Sequence, residues 1–362
     1  MAKRHVQQDK KQRLGSYYTT RADLLLEGYE HLPTGRRVVD PFAGNWDLLN
    51  WALRHGAGSV SAYDILPHNS ETTKNDSLLN PPDYSGALVL TNPPYLNANK
   101  CRNDSKEPYY LWGQDDYYKC HLASLASRNC EEAIIIVPTN FFCESRVRIR
   151  TRLFQTHYIE SAKYWEEPVF DDATTGVAVV HLVRGGRQEQ RFQMRLLPSG
   201  ACIDVCLKQQ NGYLHGDDFF DYIGSCSEIR VLKTDVGMPP PNTRLVVGLL
   251  DWGARPFGLS LSLENDIYCQ PLSFTTYQLT LPDHELSLDQ QRQVADLFQR
   301  RLQMFRAQYH GMFLANYMGA RQKILSRSFV NRLLAAAMHE LGIHPSRSDR
   351  TTAQLTLFPD SR

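Results

Sequence analysis

The chain has 362 residues, of which 42% are hydrophobic and 22% charged, and its 40 Lys and Arg against 39 Asp and Glu leave a formal net charge of +1. This length supports a large core and about two domains, and the composition excludes a disordered or fibrous protein. No apolar run approaches the length of a membrane span, and the opening "MAKRHVQQDKKQR" lacks the apolar centre of a signal peptide, so a cytoplasmic protein with no membrane partner is expected.

Charge is less even locally. Before residue 22, Lys3, Arg4, Lys10, Lys11, Arg13 and Arg21 stand against Asp9 alone. From Arg292 to Arg332 the basic residues face only Asp296, and "RVRIRTR" (146–152) is a third cluster. One such cluster is an ordinary solvated helix face, but three in a chain of balanced charge favour a surface suited to phosphates. The cysteines are scattered except for Cys202 and Cys206, with no second pair or histidine at metal-ligand spacing. They read as reduced structural thiols, and no metal is expected.

In chain order, "RRVVD" (36–40) is a short apolar strand that stops at Asp-Pro, and "NWDLLNWALRHG" (45–56) has helical spacing closed by glycine. "GSVSAYD" (58–64) and "GALVLTN" (86–92) read as strands, "DDYYKCHLASLASRN" (115–129) as a helix and "EAIIIVPTN" (132–140) as a strand. "ESRVRIRTRLFQ" (144–155) is helical, and "THYIESAKYW" and "TGVAVVHLVR" are strands. Near-continuous apolar strands alternating with helices predict an α/β fold with a mostly parallel sheet covered on both faces. "RGGRQEQ" (184–190) reads as a linker. Beyond it come short strand-like runs, "FQMRLL", "CIDVCLK" and "LSLSLENDIYCQPLSFTTYQLTL", then basic helical spacing from about Ser287 to Leu341. The expected organisation is residues 1–187 as a catalytic domain, 191–345 as a mixed α+β domain that recognises the target, and 346–362 as a flexible tail.

In a parallel sheet, ligands bind beyond the carboxyl ends of the strands, and Asp40, Asp64, Asn92 and Pro138 all fall there. "DPFAGNWDLL" (40–49) opens a helix whose free amides suit a ligand, and Gly44 permits close backbone approach. Asp64 stands where an acid can take both ribose hydroxyls, and Asp76 in "KNDSL" can accept from a nucleobase amino group. "LVLTNPPYLN" (88–97) ends a strand at two prolines, which fix φ and remove amide donors, so the chain turns there rigidly.

These residues carry a resemblance. "TNPPY" resembles the catalytic motif of DNA amino-methyltransferases that act on adenine N6 with S-adenosylmethionine (SAM), and the likeness covers about half the chain. "GSYYTT" (15–20) is similar to the motif that binds the methionine end, "DPFAGNWDLL" to the SAM loop, "YDILP" to the ribose acid motif and "NDSL" to the adenine-contacting one. "AIIIVPTNFF" and "PVFDDATTGVAVVHL" resemble later motifs, and the motif order is that of the gamma group. The resemblance implies a SAM-dependent methyltransferase fold, Rossmann-like, with a C-terminal target-recognition domain. It implies SAM contacts from Tyr18, Thr19, Asp40, Phe42, Ala43, Gly44, Asp64, Ile65, Asp76 and Asn92. Catalysis would fall to Asn92, Pro93, Pro94 and Tyr95, with Tyr95 and Phe170 holding a flipped base. Two departures are plain: Trp46 stands where the family usually has a small residue, implying a differently shaped pocket mouth, and Thr20 where proline is usual.

The tetrapeptide suits the task. Adenine's amino nitrogen is a poor nucleophile, and positive charge builds on it as the methyl arrives. The Asn92 side-chain oxygen and the Pro93 carbonyl can accept its two hydrogens from fixed positions, without a metal or covalent intermediate. Other readings are an RNA adenine methyltransferase, a protein-glutamine methyltransferase, or a catalytically dead DNA-binding module, the last favoured only by Trp46. The glutamine family carries its substrate domain before the SAM loop, whereas here the long extension follows it. No Glu-x-Lys nuclease signature follows an Asp, so any cognate restriction endonuclease would be another chain. "QLTLF" (Gln354 to Phe358) resembles the bacterial sliding-clamp-binding motif, which adds the clamp to double-stranded DNA as an expected partner.

Overall fold

The structure, a computed structural model, describes residues 21–101, 105–143, 148–165, 176–224, 229–233, 239–248, 250–251, 260–268, 272, 276–309, 323–324 and 327–345. Nine strands form one sheet: β1 (Arg37–Asp40), β2 (Ser59–Asp64), β3 (Thr72–Lys74), β4 (Ala87–Thr91), β5 (Glu132–Pro138), β6 (His157–Trp165), β7 (Val177–Arg184), β8 (Glu189–Leu197) and β9 (Cys202–Lys208). Their spatial order is 3-2-1-4-5-7-6-8-9. The first five strands pair in parallel, β7 runs antiparallel between β5 and β6, β8 is parallel to β6, and β9 closes the edge antiparallel to β8. The fold is the expected α/β arrangement with a mostly parallel sheet.

Burial explains the central strands. Every residue of β4 is buried, and all of β5 except Glu132. Their side chains divide between two cores: Val89 and Ile135 join a cluster with Tyr118, Leu122 and Leu125 of α4 (Tyr117–Ser127). Leu88, Leu90, Ile134 and Ile136 join another, with Leu25 of α1 (Ala22–Leu26) and Leu49 and Trp51 of α2 (Asp47–Arg54). A strand covered on both faces gains nothing from a polar position, which is why both read as unbroken apolar runs. Between them the chain forms α3 (Glu107–Trp112), after β5 come α5 (Asn140–Cys143) and α6 (Ile149–Leu153), and α7 (Asp217–Gly224) follows β9.

Beyond Arg184 the structure departs from the linker expected at 184–190. Only residues 185–188 separate β7 from β8, which lie on either side of β6 in the sheet, and at Gly186 a Cβ would collide with the carbonyl oxygen of Gln155. "FQMRLL" and "CIDVCLK", expected beyond the catalytic half, lie in β8 and β9 and extend the same sheet. In β8, Gln190, Phe192, Met194 and Leu196 are buried while Arg191, Gln193 and Arg195 are exposed. That alternation marks a sheet with one covered face, and it looks like a new domain in sequence because the helical alternation has stopped. The chain divides into two compact units, the first made chiefly of the residues up to Phe220 with a later segment that begins at Phe305, and the second of most of the chain from Asp221 onward.

The second unit contains a four-stranded antiparallel sheet of β10 (Leu232–Lys233), β11 (Leu245–Gly248), β12 (Ser260–Leu263) and β13 (Thr276–Thr280), in the order β10-β13-β11-β12. Most of α8 (Leu288–Gln308) and all of α9 (Arg327–Glu340) belong to it. The basic run read as a phosphate surface is partly committed to this fold. Arg301 donates to both carboxylate oxygens of Glu340, which also accepts from the Tyr222 hydroxyl at 2.8 Å, while Arg300 and Arg332 stay exposed. In the cluster at 146–152, Arg148 and Arg152 are exposed as a surface cluster requires, but Arg150 is not. Arg150 is 1% exposed, its guanidinium donating to the carbonyls of Phe141 at 2.7 Å and Gly212 at 2.9 Å. A buried guanidinium needs such acceptors, so Arg150 serves the core and no phosphate face. Among the described residues no helix is long and apolar enough to cross a membrane.

Candidate active site

The order 3-2-1-4-5 places β1 and β4 side by side, and their onward connections leave in opposite directions. The crevice beyond their carboxyl ends is therefore a topological switch point, where open α/β sheets bind ligands. The loop after β1 and the Asn-Pro-Pro-Tyr corner after β4 both lie at this end.

Asp40 ends β1 and is 2% exposed. Its Oδ1 accepts from the Thr91 hydroxyl at 2.7 Å and from the Phe42 amide at 3.0 Å, tying the loop to the end of β4 one residue before Asn92. Burial pushes the Asp40 carboxyl up to about 7, against the lowering effect of these two donors. Asp64, at the end of β2, accepts the Gly44 amide at 2.9 Å on Oδ2 and the Leu66 amide at 2.8 Å on Oδ1. Gly44 has φ of +47°, a left-handed conformation that glycine adopts without Cβ strain. Each carboxylate oxygen keeps a second lone pair, so Asp64 can hold the loop and still accept two further hydroxyls. Ile65 beside it is 43% exposed, an open apolar side chain at the crevice.

Trp46 answers one question raised by the sequence. It caps α2 with φ of +69°, costly for a bulky residue. The indole Nε1 donates to Thr72 Oγ1 at 2.6 Å, and the residue is buried in the cluster that contains Ala43, Leu48 and Leu49. Its bulk therefore packs beneath the loop and ties it to β3. Ala43 is fixed by its own amide, which donates to the Tyr63 carbonyl at 2.8 Å. Phe42 is half-buried, edge-on to the His121 ring with centroids 5.0 Å apart. His121 is fully buried on α4, and burial pushes its pKa down to about 3, so it is neutral at physiological pH. Its Nε2 has no hydrogen-bond partner among the described residues. Asp76 turns the chain after β3, its Oδ1 accepting from the amides of Leu78 at 3.1 Å and Leu79 at 3.3 Å.

At the corner, Asn92 is 8% exposed, and its Oδ1 accepts the Tyr95 hydroxyl at 2.7 Å. The same hydroxyl lies 3.0 Å from the Ile136 carbonyl on β5. Pro93 is buried and Pro94 half-buried. Tyr95 is half-buried, its ring nearly perpendicular to that of Tyr118 at 6.0 Å. An amide oxygen held by a phenol in a largely dehydrated position has one preferred direction.

The fold thus gathers Asp40, Phe42, Ala43, Gly44, Asp64 and Ile65 around one strand end and sets Asn92, Pro93, Pro94 and Tyr95 at the neighbouring one, with Asp76 following the edge strand β3. Tyr18, Thr19, Phe170 and the segment Gln354 to Phe358 lie outside the described residues. Thr72, Thr91, Tyr109, Trp112 and His121 escaped the sequence reading, because each acts through a partner distant along the chain. The only local signal was the position of Thr91 beside Asn92.

No family model and no curated protein matches the chain. Among solved structures it is similar to a type I restriction-modification methyltransferase subunit from Streptococcus thermophilus, at 15% identity and a TM-score of 0.37 over 52% of this chain and 50% of that one. It is also similar to the M protein of the type I restriction enzyme EcoKI, at 15% identity and 0.39 over 50% and 49%. A third neighbour is the type IIG restriction endonuclease BpuSI, at 13% identity and 0.39 over 61% and 37%. The matches span about half or less of these neighbours' own lengths.

Proposed function

We propose that this chain transfers a methyl group from SAM to the N6 amino group of an adenine flipped out of DNA. The observation that carries the reading is Asn92: a buried amide at the end of β4, oriented by Tyr95, beside the switch-point crevice that Asp64 borders. SAM supplies, when bound, a methyl group on a positively charged sulfonium. The donor set fits it: Asp64 keeps lone pairs for two ribose hydroxyls, Ile65 offers an apolar face, and the Trp46 indole is turned into the core. Asp76 takes the nucleobase amino group, and Tyr18 and Thr19 take the methionine end.

As the N6 lone pair forms its bond to the methyl carbon, the carbon–sulfur bond breaks and its electron pair goes to the sulfur, which leaves as a neutral thioether; meanwhile Asn92 Oδ1 and the Pro93 carbonyl would each accept one N6 hydrogen. They stabilise the charge developing there, and one of these protons then leaves to water. The two prolines hold both acceptors in place, and Tyr95 with Phe170 lines the site of the extruded base. The second unit would supply duplex contacts through exposed arginines such as Arg300 and Arg332, so binding should weaken steeply with salt. A cytoplasmic enzyme with a separate cognate endonuclease fits this reading. Gln354 to Phe358 would tether it to a sliding clamp; retention on purified clamp should disappear when the chain is ended at Thr352, and equal retention would remove that partner. Incubation with labelled SAM and either duplex DNA or RNA tests the substrate directly: label on RNA alone would overturn the DNA assignment.

A further inference from the structure

The helix α3 lies between two loops of the candidate site and bonds to both. The Trp112 indole Nε1 donates to the Leu78 carbonyl at 2.6 Å, and the Tyr109 hydroxyl donates to the Leu96 carbonyl at 2.9 Å. Leu78 belongs to the turn made by Asp76, whose carboxylate accepts the Leu78 amide. Leu96 follows Tyr95 directly, and its carbonyl also accepts the Tyr117 amide at 3.2 Å. Tyr109 stacks on Tyr117 with ring centroids 4.7 Å apart, and Leu78, Leu96, Tyr109, Tyr117 and Cys120 form a separate buried cluster against which Phe42 and Trp112 pack. Gly113 ends the helix in a left-handed conformation, turning the chain immediately after Trp112.

The two anchors differ in weight. The Leu96 carbonyl has a backbone donor besides Tyr109 and keeps one partner if the phenol is lost. For the Leu78 carbonyl, Trp112 is the donor the structure identifies, so removing the indole N–H leaves that peptide held only through its Leu79 amide, which donates to the Asp76 carbonyl at 3.1 Å and to Asp76 Oδ1 at 3.3 Å. Loosening of that peptide would shift the Leu79 amide, which lies in the same plane as the Leu78 carbonyl and helps to aim the Asp76 carboxylate.

We propose that Trp112 is a positioning residue for the nucleobase end of SAM, acting through the Leu78 peptide to aim Asp76. This deepens the methyltransferase reading and rests on it. Tyr109 anchors the same helix to the catalytic corner, so one short element sets the spacing between nucleobase loop and acceptor loop. Neither residue touches the reacting atoms.

Trp112→Phe keeps an aromatic ring against the cluster and removes the donor together with part of the indole's volume. In the full chain, hydrogen exchange read by mass spectrometry should accelerate in peptides covering 76–80 and stay unchanged in the central strands β4 and β5. Titration calorimetry should show SAM binding weakened about tenfold, as expected for a lost donor to a buried carbonyl. Turnover at saturating SAM should stay within about twofold of wild type, the pattern of a lost ground-state contact. Tyr109→Phe should leave exchange at 76–80 as in wild type. Faster exchange throughout the sheet would reduce Trp112 to a packing residue, and unchanged exchange at 76–80 would remove its hold on the loop; either overturns the proposal. A wild-type protein that fails to bind SAM would refute the function instead, while the exchange comparison would still decide what Trp112 holds.

Discussion

Replacing Asp40 by Asn tests the electrostatics under the candidate site. Asp40 is buried, and burial raises its pKa from an ordinary 3.8 to about 7. Between those values the folded protein holds a proton that the unfolded chain has released, so this group makes stability fall as pH rises from about 4 to 7 and level off above. A shift of roughly three units corresponds to about 4 kcal/mol at most, since each unit is worth about 1.4 kcal/mol. Asn92 itself is untouched, and the amide oxygen introduced in place of the carboxylate can still accept from the Thr91 hydroxyl and the Phe42 amide. Trp46, Trp51, Trp112 and Trp165 lie in the sheet unit, so tryptophan fluorescence during urea unfolding reports on it. The stability of Asp40→Asn relative to wild type should increase from pH 4.5 to about 7, by about 3 kcal/mol, and level off above. A difference that stays constant over this range would refute the burial argument.

Three further outcomes follow from the same geometry. Trp46→Gly relieves the left-handed strain but removes a buried indole and its bond to Thr72, and should cost the sheet unit a net of about 3 kcal/mol in urea unfolding. Glu132 is held at a pKa of about 2 by its hydrogen bond from His181, with Arg36 adding to it, so its contribution is present above about 4.5 and lost as pH falls toward 2. Glu132→Gln should therefore reduce stability at pH 7 by about 2 kcal/mol and much less at pH 3, measured by the same unfolding curves. Tyr95→Phe removes the phenol that orients the Asn92 amide oxygen and should lower turnover about tenfold while leaving SAM affinity within about twofold, a split read from kcat and calorimetry.

Much of the sheet was legible because burial on both faces writes itself as unbroken apolar runs, as in "ALVLT" and "EAIIIVP". β3 was not, since Thr72–Lys74 is three polar-leaning residues with only Thr72 buried. β8 and β9 were visible as strands but assigned past a linker, because half-covered hairpins look alike at the edge of a sheet and in a new domain. The strand-end carboxylates Asp40 and Asp64 and the amide Asn92 were found by asking where strands stop. Their supports were not: Thr91 reaches Asp40 across 51 residues, and Trp112 reaches Leu78 across 34. No local pattern carries such pairings. Arg150 shows the converse, a basic residue in a charged-looking run that two carbonyls draw into the core.

The most direct measurement of the central claim is methyl transfer itself, with wild type and Asn92→Ala compared on the same duplex DNA and isotopically labelled SAM. Nucleosides from the digested DNA are then identified by mass spectrometry. Wild type should place the label on adenine N6, and Asn92→Ala should lose transfer by about 100-fold or more while its SAM affinity, measured by calorimetry, stays close to wild type. Near-native turnover by Asn92→Ala, or label on any nucleoside other than deoxyadenosine, would contradict the account.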